Sequence, residues 1–264
     1  MTTNVRPLRS LHYRTVWISD VHLGSRACQA RQLLDFLRSV RCDRLYLVGD
    51  IIDLMALRKG FYWPQPHNNV IRALLGAAKH GTDIIFVPGN HDAQLRDHAG
   101  LDFGRLRIRR QALHVTAEGK RYLVMHGDEF DSVVYISEGM ERVGSKLYEG
   151  LVRLNQPLNR VRSAMGQPYW SLPTYLKSRV KNAVSYVSDF EQAVAREAAK
   201  YEIDGVICGH IHRPELRDIG NVRYANCGDW VEHCSALVER QDGQLSLLDW
   251  SETARRAVAA SGVA

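Results

Sequence analysis

The chain has 264 residues, 45% of them hydrophobic and 24% charged, enough to bury the core of one large α/β domain. No apolar run approaches the ~20 residues needed to cross a bilayer. Five cysteines (Cys28, Cys42, Cys208, Cys227 and Cys234) without C-x-x-C spacing exclude a disulfide frame and a zinc knuckle. The formal charge of +6 admits an anionic partner, whether nucleic acid, acidic lipid or phosphorylated substrate, without choosing among them.

The first strand pattern, Tyr13 to Ser19, ends in "DVHLG", and an amphipathic helix follows from Gln29. A second apolar run, "RLYLVGD", ends at Asp50, and helix "NNVIRALLGAAKHG" closes on Gly81 as C-cap. A third run, "TDIIFVPGNHD", completes a β-α-β-α-β order that predicts parallel strands covered by helices. Shorter strands "ALHVT" and "RYLVMHGD" turn at Gly119. Residues 135–200 read as helical, with Pro157, Gly166, Pro168 and Pro173 in a looped middle. Strand character returns in "GVICGHIH", "NVRYANCGDW", "SALVER" and "LSLLDW". The expected organisation is a core formed by residues 1–134 and 201–250, a helical insertion at 135–200, and a tail at 251–264. The opening residues lack the apolar stretch of a signal peptide, so a cytoplasmic protein is expected.

Five strands finish in polar residues: Asp20 and His22, Asp50, Asn90 and His91, His126, and His210 and His212. A single Asp-x-His reads more simply as a turn. Five concurrent strand ends point to a ligand site at the carboxyl edge of the sheet. Oxygen and imidazole donors without thiolate suit Mn, Fe, Zn or Co. Two cations need a bridging ligand, and Asp50 is the acidic group at the tip of a central strand. Asp20 and His22, two apart on an extended segment, are expected to point the same way, as are His210 and His212.

The ordered blocks D-x-H, GD, GNHD, H and GHxH, from Asp20 to His212, resemble the calcineurin-like metallophosphoesterase superfamily. That resemblance implies a four-layer α/β/β/α sandwich and two divalent ions, with Mn favoured. It assigns Asp20, His22, Asp50 and His212 to one ion, and Asp50, Asn90, His126 and His210 to the other. His91 would donate a proton to the leaving oxygen or stabilise the transition state, with Asp92 orienting its ring.

"ISDVHLG", "LVGDIIDL" and "PGNHD", followed by a basic helical insertion, also resemble the UDP-2,3-diacylglucosamine diphosphatase group of lipid A synthesis. That group has a helical lid at this place and releases UMP from a lipid-linked UDP-sugar. Its best-described branch has Arg at the position of His91, so the chain resembles a side branch. The general pattern equally suits a monoesterase, a diesterase or another nucleotide or lipid pyrophosphatase. In the insertion, Lys177, Arg179 and Lys181 are candidate contacts for substrate phosphates or an anionic membrane surface on the inner face of the cytoplasmic membrane, and Asp131 is a candidate substrate contact or helix cap. A nuclease is disfavoured, because the basic residues mix with large apolar ones and do not line a polar groove. The expected partner is a phosphorylated small molecule or lipid, with no nucleic acid.

Overall fold

The computed structural model describes residues 11–130, 155–171, 181–201 and 203–251. Twelve strands are described: β1 (Leu11–Ile18), β2 (Val40–Val48), β3 (Asp83–Val87), β4 (Asp102–Phe103), β5 (Leu106–Ile108), β6 (Ala112–Val115), β7 (Arg121–Val124), β8 (Gly205–Cys208), β9 (Glu215–Ile219), β10 (Val222–Asn226), β11 (Ser235–Glu239) and β12 (Leu245–Asp249). They form a seven-stranded sheet, ordered β12-β11-β1-β2-β3-β5-β4, and a five-stranded sheet, ordered β6-β7-β8-β10-β9. Strands β1, β2, β3 and β5 run parallel, as β-α-β connections require.

Period-2 alternation decides the layers. Val16, Ile18, Leu45, Leu47, Ile84 and Phe86 face outward, against helices α1 (Ala30–Ser39) and α3 (Gln65–Lys79). Their alternates Trp17, Tyr46, Val48, Ile85 and Val87 face inward, against Tyr122, Val124, Ile207 and Ala225 of the second sheet. Both faces of these strands are therefore apolar, as in a parallel sheet covered on each side. A short helix, α2 (Leu54–Lys59), lies between β2 and α3. Residues 155–164 form α4, and α5 spans Lys181–Lys200.

The expected insertion needs correcting at its second helix. From Phe190 onward α5 buries Phe190, Val194 and Ala198 against Val206, Cys208 and Tyr224. It is the outer layer of the second sheet, completing the four layers. An i, i+4 apolar stripe is the same whether a helix covers a sheet or a lid, so periodicity could not separate the two. Of the insertion, residues 155–171 are described, and they dock on the core. Gln29 Nε2 donates to Tyr169 Oη at 3.5 Å, Gln156 Nε2 donates to Ala27 O at 3.3 Å, and Ser171 Oγ donates to Glu232 at 2.8 Å.

A buried polar group ties the sheets together. Glu239 of β11 accepts His114 Nε2–H of β6 at 2.9 Å, Arg14 Nη1–H of β1 at 2.5 Å and the Ala117 amide at 2.8 Å. Beside it, Trp17 stacks on Tyr46 at 5.6 Å and meets the His114 ring edge-on at 4.8 Å.

Candidate metal centre

The strand ends converge from both sheets. Asp20, His22, Asp50 and Asn90 follow β1, β2 and β3; His126, His210 and His212 follow β7 and β8. His212 Nε2 lies 3.1 Å from Asp20 Oδ1 and 3.4 Å from His22 Nε2. His126 Nε2 lies 3.4 Å from Asp50 Oδ2 and 3.3 Å from Asn90 Oδ1. His22 Nε2 is 3.8 Å from Asp50 Oδ2. Ligand atoms fall within 4.8 Å of one another in three groups: Asp20, His22 and His212; Asp20, Asp50 and His126; His22, Asp50 and His91. Asp20, His22 and Asp50 each belong to two groups. The His210 ring packs against His126 at 5.2 Å, and its backbone N–H donates to Asp20 Oδ2 at 2.9 Å.

The backbone here is not the extended segment expected of D-x-H and H-x-H. Asp20, His22, Asp50, His210 and His212 all have positive φ, between 50° and 69°. Among the described residues the other non-glycine residue of this kind is Cys234. A left-handed conformation costs a side-chain-bearing residue of order 1–3 kcal/mol. Repeated kinks, not strand pleat, turn each ligand into the cluster. Glycines supply the room: a Cβ on Gly49 would sit 2.1 Å from His126 Nδ1, and one on Gly89 would sit 2.3 Å from Asp50 Oδ1. Gly89 is thus needed for side-chain space, since its φ lies outside the left-handed region.

The donor set fits cations. His126 Nδ1–H donates to Val48 O at 3.0 Å, which turns the Nε2 lone pair toward the oxygens of Asp50 and Asn90. His22 Nδ1–H donates to Asp53 Oδ2 at 3.2 Å, which turns its Nε2 toward Asp50 and His212. Lone pairs facing lone pairs repel unless positive charge lies between them. Asp20 Oδ1 is fully buried and faces His212 Nε2 at 3.1 Å without the geometry of a good hydrogen bond. Burial would raise the Asp50 pKa, but the facing imidazoles of His126 and His22 hold it below the usual carboxylate range. Burial would lower the His126 pKa, and Asp50 and Asp20 nonetheless raise it well above the ordinary value. Divalent ions satisfy every one of these groups at once.

His91 stands at the rim, its side chain 31% exposed, with its ring edge-on to His22 at 4.6 Å. The residue that orients it is Asp53, not Asp92. His91 Nδ1–H donates to Asp53 Oδ1 at 2.9 Å, so one carboxylate fixes both His22 and His91. Asp53 also caps α2 by accepting the Ala56 amide at 2.7 Å. Burial would raise its pKa, but the two imidazole hydrogen bonds lower it. Asp92 is wholly buried and works on the backbone: it accepts the amides of Gly89 at 2.6 Å, Ile51 at 2.8 Å and Ile52 at 3.2 Å. It clamps the β2 and β3 loops together. Adjacency in sequence favoured Asp92, and sequence reasoning gave Asp53 no role. The sequence signal for Asp53 was its place three residues beyond Asp50, ahead of "LMALRK".

Asp131, Lys177 and Arg179 lie outside the described residues. Lys181 is the first residue of α5, and its side chain lies outside them as well.

The family model for calcineurin-like phosphoesterase matches residues 13–214. A UDP-2,3-diacylglucosamine hydrolase of Xanthomonas oryzae pv. oryzae is 30% identical over 243 residues, covering 87% of this chain and 96% of the relative. One of Photorhabdus laumondii is 26% identical over 217 residues, covering 78% and 84%. Among solved structures, Yfce, a phosphoesterase from E. coli, is 14% identical and covers 89% of this chain and 98% of its own, with a TM-score of 0.41. With two sheets, two helical layers and an Asp/His cluster suited to divalent metals, the chain belongs to the calcineurin-like phosphoesterase family and is a hydrolase of phosphoester bonds.

Proposed function

We propose that the chain hydrolyses the pyrophosphate of UDP-2,3-diacylglucosamine, giving UMP and the acylated sugar phosphate, in lipid A synthesis. The observation that carries this reading is the near-full-length similarity to hydrolases named for that substrate, 96% of the Xanthomonas relative being covered. Two divalent cations, Mn favoured, would be held by Asp20, His22, Asp50 and His212 on one side and Asp50, Asn90, His126 and His210 on the other. When bound they supply Lewis acidity toward water and toward the phosphate oxygens. His91, held by Asp53 at 2.9 Å and reachable from solvent, donates a proton to the oxygen that leaves phosphorus. Water adds at phosphorus as the bridging P–O bond breaks.

The docked part of the insertion supports a role beside the site. Tyr169 accepts from Gln29, which leads into α1 soon after the His22 loop, and Ser171 bonds Glu232, close behind the Asp20 contact made by Trp230 N–H. Lys177, Arg179 and Lys181 would meet substrate phosphates or an anionic leaflet, and Asp131 would contact substrate. Among the described residues no helix is long and apolar enough to cross a membrane.

The test measures UMP release from UDP-2,3-diacylglucosamine and from UDP-N-acetylglucosamine at matched Mn²⁺ and detergent. The acylated substrate should be cleaved far faster. Equal rates would overturn the lipid assignment while leaving the phosphoesterase chemistry in place.

A further inference from the structure

Along the β5 and β6 side of the sandwich, a cavity of about 380 Å³ is lined by Arg44, Tyr46, Ile85, Arg107, Arg109 and Gln111, with Ala112 and Leu113 of β6 as the far wall. Its position follows from register. Tyr46 pairs with Ile85 and Ile85 with Arg107, so these three form one row across β2, β3 and β5 on the inner face. Arg44 lies two residues before Tyr46 on that same face. The row is apolar where the second sheet covers it and becomes arginine where the sheets separate. Arg44 lies six positions before Asp50, along β2 and the turn beyond it, roughly 20 Å at a strand's rise of about 3.3 Å per residue, whereas Ala112 pairs with Val124, two residues before His126. The lining of the cavity includes none of the metal-centre residues.

Charge in the cavity is only partly balanced. Arg107 lies 3.9 Å from Asp83, a carboxylate that Arg105 holds at 2.9 Å. Arg109 pairs with Asp102 at 2.6 Å. Arg44 has no carboxylate within ion-pair distance among the described residues, and it is half-buried. Guanidinium groups turned toward one gap repel each other, and a ligand with several phosphate oxygens relieves that repulsion. The volume falls at the small end of ligand pockets. We propose that this cavity is an anion site for a small molecule bearing two or more phosphate charges, with Arg44 and Arg107 as its principal contacts. The site is independent of the substrate assigned above.

Inorganic pyrophosphate, titrated calorimetrically into the full chain, tests the proposal. Saturable binding should persist in Asp50→Asn, which impairs the metal centre. It should weaken at least tenfold in Arg44→Gln/Arg107→Gln, whose hydrolysis of bis(p-nitrophenyl) phosphate stays at the wild-type rate. Leu113→Trp, which fills the cavity and leaves every arginine in place, should block binding as well. The proposal is overturned if no saturable binding occurs, if the arginine pair can be replaced without effect, or if Leu113→Trp binds normally. A single-stranded oligothymidylate that binds through these arginines while pyrophosphate does not would equally overturn it, making the face a nucleic-acid surface.

Discussion

Asp53→Ala should separate two effects that one carboxylate now produces. Oδ2 holds His22 at 3.2 Å, and Oδ1 holds His91 at 2.9 Å and the Ala56 amide at 2.7 Å. Hydrogen bonds to charged groups are worth about 1.5–3 kcal/mol each, and an N-cap about 1 kcal/mol. Loss of a ligand-orienting partner usually costs 10–100-fold in metal affinity or activity, or about 1.4–2.7 kcal/mol. The freed His22 should raise the Mn²⁺ concentration giving half-maximal rate, whereas the freed His91 should lower the rate at saturating Mn²⁺. Steady-state hydrolysis of bis(p-nitrophenyl) phosphate across a Mn²⁺ titration reads both, with urea unfolding to register the lost cap. Asp92→Ala is the contrast. It strips the acceptor from four backbone amides, those of Gly89, Asp50, Ile51 and Ile52, so it should destabilise the fold by several kcal/mol. A wild-type rate and metal dependence in Asp53→Ala would refute the orienting role.

Asp50→Ala should lose both ions together with turnover; two ions per chain by metal analysis would contradict a shared ligand. Burial would raise the Glu239 pKa, but the His114 hydrogen bond and the Ala117 amide hold it at about 2. Its stabilisation is complete above the ordinary glutamate value of about 4.3 and fades as pH falls toward 2, so Glu239→Gln should flatten that part of a urea-midpoint-versus-pH curve. His114 has its pKa lowered by burial, so its neutral form opposes unfolding less as pH drops below about 6.5. Trp17→Ala, at a fully buried position between the sheets, should cost about 3–5 kcal/mol by urea denaturation.

Strands with both faces apolar were legible because alternation hardly matters when successive positions are all buried, as in the "IIFV" of β3. Strand β9, "ELRDI", was not, since it lies at a sheet edge with charged residues facing solvent. Helix α2 has six residues, too few for a periodic signal. The ligand positions could be read from chemistry alone, because Asp, His and Asn at five strand ends have few other uses. Their geometry could not: an extended D-x-H and a doubly kinked one are the same three letters. The Asp53 contact joins residues 38 apart, His91 and Asp53, and only the folded backbone brings them together.

The ligands come from both sheets, with His22 and Asp50 on one side and His126 and His212 on the other. Bound cations would therefore act as cross-links between halves of the chain that otherwise meet through Trp17, Tyr122 and their neighbours. A chain in which only the first sheet has formed owns half a coordination sphere, so tight loading must await docking of the second. Mass action then makes the metal a conditional fastener. At a hundredfold excess over its dissociation constant, each ion that binds only the closed sandwich adds about 2.7 kcal/mol against separation of the sheets. Chelation should accordingly loosen the far edge of the sandwich as well as silence its chemistry.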